Sequence, residues 1–345
     1  MVIRKTAEQI KDEILASLKE EPLSIEQLRK KVESNWSTTN NYLEKLKKEG
    51  KVKEIISADK AKIYQRIFGD TYFDIPITDL ERKKFRTLFS MVIKRYKESN
   101  QIPNKTQLAK AAVRVINSSE SGLSELPTAW YLYGMIPLMI VDPSQDYQEE
   151  IILEHKQKIN NIIEIFIKSN CDKKTKQIQK EQHIEYDDKL YQLADNFLEL
   201  TEDNSWNRDR IFEVLNEFFI VCPINWEFKE VFNLTERFIS TVRKLSYFDK
   251  LENHRTKILL TFDALWKFIA TCKFYETISL KRRFSNKSVL DLYLGGAISF
   301  RKVCAEESLS DLYSIYLSKL DNRKLDLSSD AAKVKEIMQG WTGED

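Results

Sequence analysis

A run of short polar side chains followed by lysines, "SNWSTTNNYLEKLKKEGKV" at residues 34–52, is the part of this chain best suited to chemistry. A helix over this run places Thr39, Leu43 and Leu46 on one side, because they follow the i, i+4, i+7 spacing of a buried face. The polar positions that then face outward are Ser37, Thr38, Asn40, Asn41, Lys45 and Lys48. Asparagine amides both donate and accept hydrogen bonds, and lysine amines carry positive charge. The run is typical either of an ordinary amphipathic surface helix or of a helix that binds in a nucleic-acid groove.

Two shorter helices are predicted ahead of this run. Apolar residues at helical spacing predict a first helix over about residues 6–20. In "SIEQLRKKV", Ser24 is followed three residues later by Gln27, as in a capping box, which predicts the start of a second helix. Gly50 is expected to end the third helix, because glycine readily takes the left-handed conformation found there. Trp36 is ambiguous, since a tryptophan at a helix start more often closes a core than touches a base.

A β-hairpin is predicted directly after the third helix. Two short runs rich in β-branched residues, "KVKEII" and "KIYQRI", flank the polar "SADKA", whose tip carries Lys60. In the second run Ile63, Gln65 and Ile67 alternate with Lys62, Tyr64 and Arg66. This alternation indicates one buried face and one solvated face.

The order helix, helix, short turn, helix, hairpin over residues 6–67 resembles the winged helix-turn-helix family. The resemblance rests on "PLSIEQLRKKV", on "NWSTTNNYLEKLKKEGKV" and on the hairpin. It implies that the third helix enters the major groove of double-stranded DNA, where residues near its start reach base edges. By the same resemblance the base contacts fall to Ser37, Thr38, Asn40 and Asn41. The phosphate contacts fall to Lys45 and Lys48 of the helix and to Lys60, Lys62 and Arg66 of the hairpin.

The distribution of charge agrees with this interpretation only locally. The whole chain has a formal net charge of +2, but residues 35–68 carry eight lysines and arginines against four acidic residues. A positive surface is what phosphate contact needs. The excess is modest, however, and lysines on a helix face are usually only solvated. Winged helices also act as protein–protein modules, so a scaffold or interaction protein is the alternative.

The remaining chain is predicted to be helical. Its 345 residues include only 8 glycines and 7 prolines and are rich in Lys, Glu, Leu and Ile, which indicates a mainly α protein. Polar residues 68–76 are a predicted hinge between a domain at 1–68 and an all-α region at 77–345, which is divided near 170–184 if it is divided at all. Further helices are predicted at roughly 79–98, 105–117, 124–140, 147–169, 185–200, 208–221, 227–247, 254–279, 287–303 and 308–319. The apolar stretch within 124–140 is short for a membrane span and is interpreted as a buried helix.

Motifs for catalysis, metal or cofactor binding are not recognised in this sequence. The four cysteines lie far apart without C-x-x-C spacing, which argues against disulfides or zinc and favours a reducing cytoplasm. The three histidines share no ligand spacing, and no nucleophile–base pattern is evident. No cofactor is therefore expected, and a nucleic-acid-processing enzyme is the weakest of the alternatives.

These observations together predict a mainly α, cytoplasmic, DNA-binding transcriptional regulator without enzyme activity. The apolar face predicted over residues 226–247 comes close to a heptad repeat. Because helix-turn-helix proteins commonly bind two half-sites as symmetric dimers, the helical region is expected to form a homodimer. No membrane partner is expected.

Overall fold

A computed structural model describes residues 5–19, 21–56, 62–202, 206–222, 229–280 and 287–342 of the chain. The fold is mainly helical with small antiparallel sheets, as the sequence predicts. The helices are α1 (Ala7–Ser17), α2 (Ile25–Lys31), α3 (Trp36–Lys48), α4 (Asp79–Glu98), α5 (Lys105–Ile116), α6 (Lys156–Asn170), α7 (Thr175–Glu185), α8 (Lys189–Glu202), α9 (Arg208–Val221), α10 (Lys229–Leu245), α11 (Arg255–Leu280) and α12 (Lys287–Thr342). The strands are β1 (Leu23–Ser24), β2 (Val52–Ile56), β3 (Lys62–Arg66), β4 (Thr128–Tyr131) and β5 (Gly134–Pro137).

Local capping sets the starts of the N-terminal helices. The predicted capping box is present at α2, where Ser24 and Gln27 each bond the other's backbone N–H. A second capping box at α1 joins Thr6 and Gln9. Each box satisfies two backbone donors that have no partner inside the helix. Gly50 follows α3 with φ of +68°, as expected of a C-terminal cap.

A three-stranded antiparallel sheet in the order β1-β3-β2 covers one side of α1–α3. The central strand β3 pairs Tyr64 with Leu23 of β1 and with Glu54 of β2. The alternation predicted for this strand is wrong, because Tyr64 and Gln65 are both buried. Tyr64 belongs to the core shared with α1–α3, whereas the amide of Gln65 lies 3.4 Å from the carbonyl oxygen of Phe73 on the other side.

The helix predicted over residues 124–140 is absent, and β4 and β5 form a hairpin there instead. Pro127 and Pro137 disfavour helical backbone at the residues that precede them. Gly134, with φ of +96°, lies next to the two-residue turn and pairs with Tyr131. The stretch is apolar because the hairpin is largely buried, so its hydrophobicity indicates burial but does not identify a helix.

The segment predicted as a hinge, residues 68–76, is hydrogen-bonded along its length. The backbone N–H of Tyr72 bonds the carbonyl of Leu138 at 3.1 Å, and that of Ile140 bonds the carbonyl of Asp70 at 2.7 Å. The Asp74 carboxylate accepts from the N–H of Phe68 and from Lys53 of β2. These bonds tie the segment to its neighbours in the fold.

The chain divides into two compact units. Unit 1 comprises residues 1–185 and 270–299, and unit 2 comprises residues 186–269 and 300–345. The N-terminal 68 residues thus fall within unit 1, and the break after residue 185 lies just beyond the predicted segment at 170–184. The predicted helices 287–303 and 308–319 are one continuous helix, α12.

The core of unit 2 is built from aromatic side chains of α8–α11. Phe197 and Phe262 have ring centroids 4.3 Å apart, and Phe218 and Phe238 both pack on Phe262. The apolar face that the sequence predicts over residues 226–247 is buried along α10. None of the described helices is long and apolar enough to cross a membrane.

Candidate nucleic-acid interface

The start of α3 is held by its own polar residues. Asn35 caps the helix by accepting from the N–H of Thr38 at 2.8 Å. The hydroxyl of Thr39 donates to the carbonyl of Asn35 at 3.1 Å and lies 2.5 Å from the Ser34 hydroxyl. Glu33, in the turn before α3, has φ of +52°, which lets the chain reverse within a few residues. This turn sets the direction of α3 relative to α2.

The inward face of α3 is the one that the sequence predicts. Thr39, Leu43 and Leu46 are each fully buried, and the two leucines belong to the core with α1, α2 and the sheet. Since successive residues are rotated by about 100° around a helix, the face opposite this triad is the one turned to solvent.

The six polar residues assigned to α3 fall into two groups. Ser37, Asn41, Lys45 and Lys48 are exposed, whereas Thr38 and Asn40 are half-buried on the flanks of the helix. In the described part of the chain, the side chains of Asn41 and Lys48 make no hydrogen bond or ion pair. The Lys45 ammonium lies 5.2 Å from the centre of the Tyr42 ring. The exposed four form one stripe along the helix.

The hairpin residues contribute less to this stripe than the sequence suggests. Lys60 lies outside the described residues. Lys62 is exposed and bonds Glu54 at 3.1 Å. Arg66 is at the base of the hairpin, opposite Val52, and its guanidinium donates to the carbonyl of Leu15 at 3.1 Å. The structure therefore does not bring the Arg66 guanidinium together with the polar residues of α3.

Ion pairs neutralise much of the positive excess of residues 35–68. Lys47 bonds Glu54 at 2.8 Å and Glu44 at 3.0 Å, and these bonds raise the pKa of Lys47. The hydrogen bonds from Lys47 and Lys62 lower the pKa of the Glu54 carboxyl. Lys47 and Glu54 thus both stay charged near neutral pH. Because the carboxylates offset the charge of the lysines, little positive charge is left for phosphates.

Two further lysines of this segment are also paired with carboxylates. Lys51 bonds Glu49 at 2.8 Å, and Lys53 bonds Asp74 at 2.7 Å. Lys45 and Lys48, by contrast, have no carboxylate partner among the residues described. The charge that can meet an anion is thus concentrated on the outer stripe of α3.

Trp36 is a contact candidate that the sequence leaves ambiguous. Its side chain is 51% exposed at the first position of α3, so it does not close the core. Asn40 lies one turn farther along the same flank. Trp36 lies three residues before Thr39, a spacing that also fits the buried face, so the sequence contains no signal of this exposure.

In the described ranges, no three His, Cys, Asp or Glu side chains cluster closely enough to hold a metal ion. Comparisons of the chain with protein-family models, with curated proteins and with solved structures found no match.

Proposed function

We propose that residues 6–67 are a winged helix-turn-helix module that binds double-stranded DNA, and that the chain is a cytoplasmic transcriptional regulator. The order α1, β1, α2, α3, β2, β3, with a sheet in the order β1-β3-β2, supports the proposal because it contains every element of the resemblance. It also gives α3 a rigid support, since the helix packs on α1, α2 and β2.

The observation that carries the proposal is the outer stripe of α3, namely Ser37, Asn41, Lys45 and Lys48. From Ser37 to Lys48 the helix rises about 16 Å, and the major groove, about 12 Å wide, admits a helix. The Asn41 amide can pair with adenine through one donor and one acceptor. Lys45 and Lys48, farther along the same stripe, can neutralise phosphates.

The two asparagines of α3 differ in their exposure to solvent. Asn41 is exposed at the centre of the outer face, whereas Asn40 is half-buried beside it. We therefore assign base recognition to Asn41 in the first place. Replacing Asn41 by alanine is expected to cost about 1–3 kcal/mol of discrimination at one base pair, and Asn40→Ala serves as the matched control with a smaller effect.

The experiment is duplex binding by the full chain, followed by fluorescence anisotropy over a salt series. A preferred site is first selected from random duplexes, and the variants are then compared on that site and on an unrelated duplex. Lys48→Ala is expected to weaken binding to both duplexes and to reduce the salt slope by about 1. The control is Lys94→Ala, an exposed lysine of α4. Absence of duplex binding by the full chain at low salt, or equal behaviour of Lys48→Ala and Lys94→Ala, would contradict the proposal.

A second candidate is an interaction protein whose N-terminal module docks on another protein. The half-exposed Trp36 favours it, because tryptophans at the centre of an interface often carry much of its binding energy. The ion pairs of Lys47, Lys51 and Lys53 also weaken the electrostatic case for DNA. This candidate predicts no duplex binding at low salt, and a protein partner that Trp36→Ala loses while Lys48→Ala retains it.

We further propose that the regulator acts as a homodimer, as two half-sites would require. The buried face of α10 is occupied by the core of unit 2, so the dimer must use another surface. Light scattering on the full chain tests the oligomeric state, and a monomer at the concentrations of DNA binding would refute it.

A further inference from the structure

Unit 2 carries a surface on which cations and aromatic rings alternate. At one end, the Arg208 guanidinium lies 5.4 Å from the centre of the Tyr247 ring and 5.9 Å from that of Phe212. The Arg243 guanidinium lies 5.7 Å from the same Phe212 ring. The start of α9 and the last turn of α10 supply these cations.

A second set of cation–ring contacts joins the end of α10 to α12. Lys244, next to Arg243 in the chain, lies 5.8 Å from the ring of Tyr313 and 5.7 Å from that of Tyr316. Tyr316 packs on Phe248, over whose ring Arg323 lies at 5.4 Å. We call these two sets of contacts, from Arg208 to Arg323, the cation–aromatic surface.

Its cations lack carboxylate partners, although the Arg243 guanidinium also donates to the amide oxygen of Asn216 at 2.9 Å. Arg208, Arg243, Lys244 and Arg323 are all exposed, and none of the four has a carboxylate partner in the described ranges. The neighbouring Asp249 is held by Lys319 at 2.9 Å, and this hydrogen bond lowers the pKa of the carboxyl. That carboxylate is therefore already neutralised.

The aromatic rings of this surface are also open to solvent. The Tyr247 side chain is 65% exposed and that of Tyr313 is 39% exposed, although each is in contact with a cation. A ring that served packing alone would be covered by the helices around it. Here the cation–π contact, worth about 0.5–1 kcal/mol at an exposed site, orients a ring that remains open to solvent.

We propose that the cation–aromatic surface binds single-stranded nucleic acid. The phosphate backbone would follow the four cations, and unpaired bases would stack on Tyr247 and Tyr313 and on the guanidinium planes. Aromatic platforms in a basic groove are how proteins bind single strands without reading their sequence. A duplex keeps its bases stacked inside and cannot use the rings in this way.

Two other anionic partners fit less well. An acidic peptide would satisfy the cations but would gain little from open ring faces. An anionic membrane is bound through inserted apolar side chains beside the cations, whereas here the exposed rings are tyrosines oriented by the cations themselves. Single-stranded nucleic acid uses both components of the surface.

This inference is independent of the duplex binding proposed for α3. The surface lies wholly in unit 2 and contains no residue of the N-terminal module. The two proposals therefore fail separately, provided that each site is altered alone in the full chain.

The test is fluorescence anisotropy of the full chain with fluorescein-labelled dT20, over a salt series, beside a duplex of the same length. Tyr247→Ala is expected to weaken dT20 binding about tenfold through the lost stacking, while Tyr247→Phe retains it. Arg243→Ala is expected to lower the salt slope by about 0.7, the value for one phosphate contact on a single strand. The matched controls are Tyr133→Ala, a ring of similar exposure in unit 1, and Lys94→Ala, an exposed lysine of α4, both of which should bind dT20 as the wild type does.

Three results would overturn the proposal. They are absence of dT20 binding at low salt, affinities of Tyr247→Ala and Arg243→Ala within twofold of the wild type, and binding to phosphatidylserine vesicles without binding to dT20. Circular dichroism melting accompanies each variant, and if Tyr247→Ala proves unstable, Tyr313→Ala carries the same test.

Discussion

Replacing Lys110 of α5 by methionine tests what holds the β4–β5 hairpin in place. The Lys110 side chain is only 2% exposed. Its ammonium donates to the carbonyl of Tyr133 at 2.7 Å, to the carbonyl of Met135 at 3.0 Å and to the amide oxygen of Gln182. One cation thus joins α5, the turn of the hairpin and α7.

The expected loss is about 3 kcal/mol in the free energy of unfolding of unit 1. Methionine keeps the length of the side chain but removes all three donors, and each buried acceptor left without a partner costs about 1–3 kcal/mol. The variant also avoids the cost of burying an ammonium group, which is several kcal/mol in the wild type. The three unpaired acceptors together outweigh this relief, and a net loss of about 3 kcal/mol is the balance that we expect.

The assay is differential scanning calorimetry of the full chain, with hydrogen exchange of the hairpin amides to assign the transition. For a unit of this size, about 3 kcal/mol corresponds to a fall of roughly 6–12 °C in the melting temperature. Lys105→Met, which changes an exposed lysine of the same helix, is the control and should shift it little. A Lys110→Met transition no lower than that of Lys105→Met would refute the reasoning.

Three further predictions concern single residues. Gly134→Ala is expected to destabilise the hairpin by more than about 2 kcal/mol, since its Cβ would lie 2.7 Å from His183 Nε2 at a φ of +96°; an unchanged melting temperature would contradict this. Glu33→Gly is expected to stabilise the N-terminal module by about 1 kcal/mol in urea titrations, because an exposed side chain at φ of +52° loses its strain; a lower midpoint would be the contrary result. The hydrogen bond from Lys11 lowers the pKa of Glu49 from 4.5 to about 2, so its stabilisation, present above pH 4.5, is lost as the pH falls toward 2. The melting temperature of Glu49→Gln should therefore change less with pH over that range than that of the wild type. Identical pH profiles of the two proteins would contradict a stabilising ion pair between Lys11 and Glu49.

The parts of the fold that the sequence predicts well are those governed by short-range signals. Ser24 and Gln27, which cap α2, lie only three residues apart. Gly50 ends α3 through its own backbone conformation. Both features can therefore be predicted from a few neighbouring residues. The same holds for the buried triad of α3, because its period belongs to one helix. Predicted bounds elsewhere, such as 208–221 for α9, agree for the same reason.

The hairpin at residues 128–137 shows where such signals conflict. The length and hydrophobicity of residues 126–141 favour a helix, whereas Pro127 and Pro137 disfavour one. A strand buried on both faces loses the alternation that would identify it. The tertiary partner that favours the hairpin, Lys110, lies on another helix and is not visible in the stretch itself.

Electrostatics limits what a count of charges can say about the candidate site. Residues 35–68 carry a net charge of +4 as a sum, yet Lys53 is paired with Asp74, which lies outside that segment. Arg66 is likewise occupied by a backbone carbonyl of α1. Only the fold separates these residues from Lys45 and Lys48, whose charge is left to solvent or to a ligand.

The cation–aromatic surface has no counterpart in any sequence motif, and the reason is geometric. Arg208 and Arg323 are more than a hundred residues apart, and the rings between them come from α9, α12 and the end of α10. Packing of these helices creates the alternation, since α10 contributes Arg243 and Lys244 side by side and its neighbours contribute the rings on either side. If dT20 binding follows these residues, the helical region has a nucleic-acid function of its own. A regulator built this way would contact duplex through α3 and an unpaired strand through unit 2, which a promoter opened for transcription offers together.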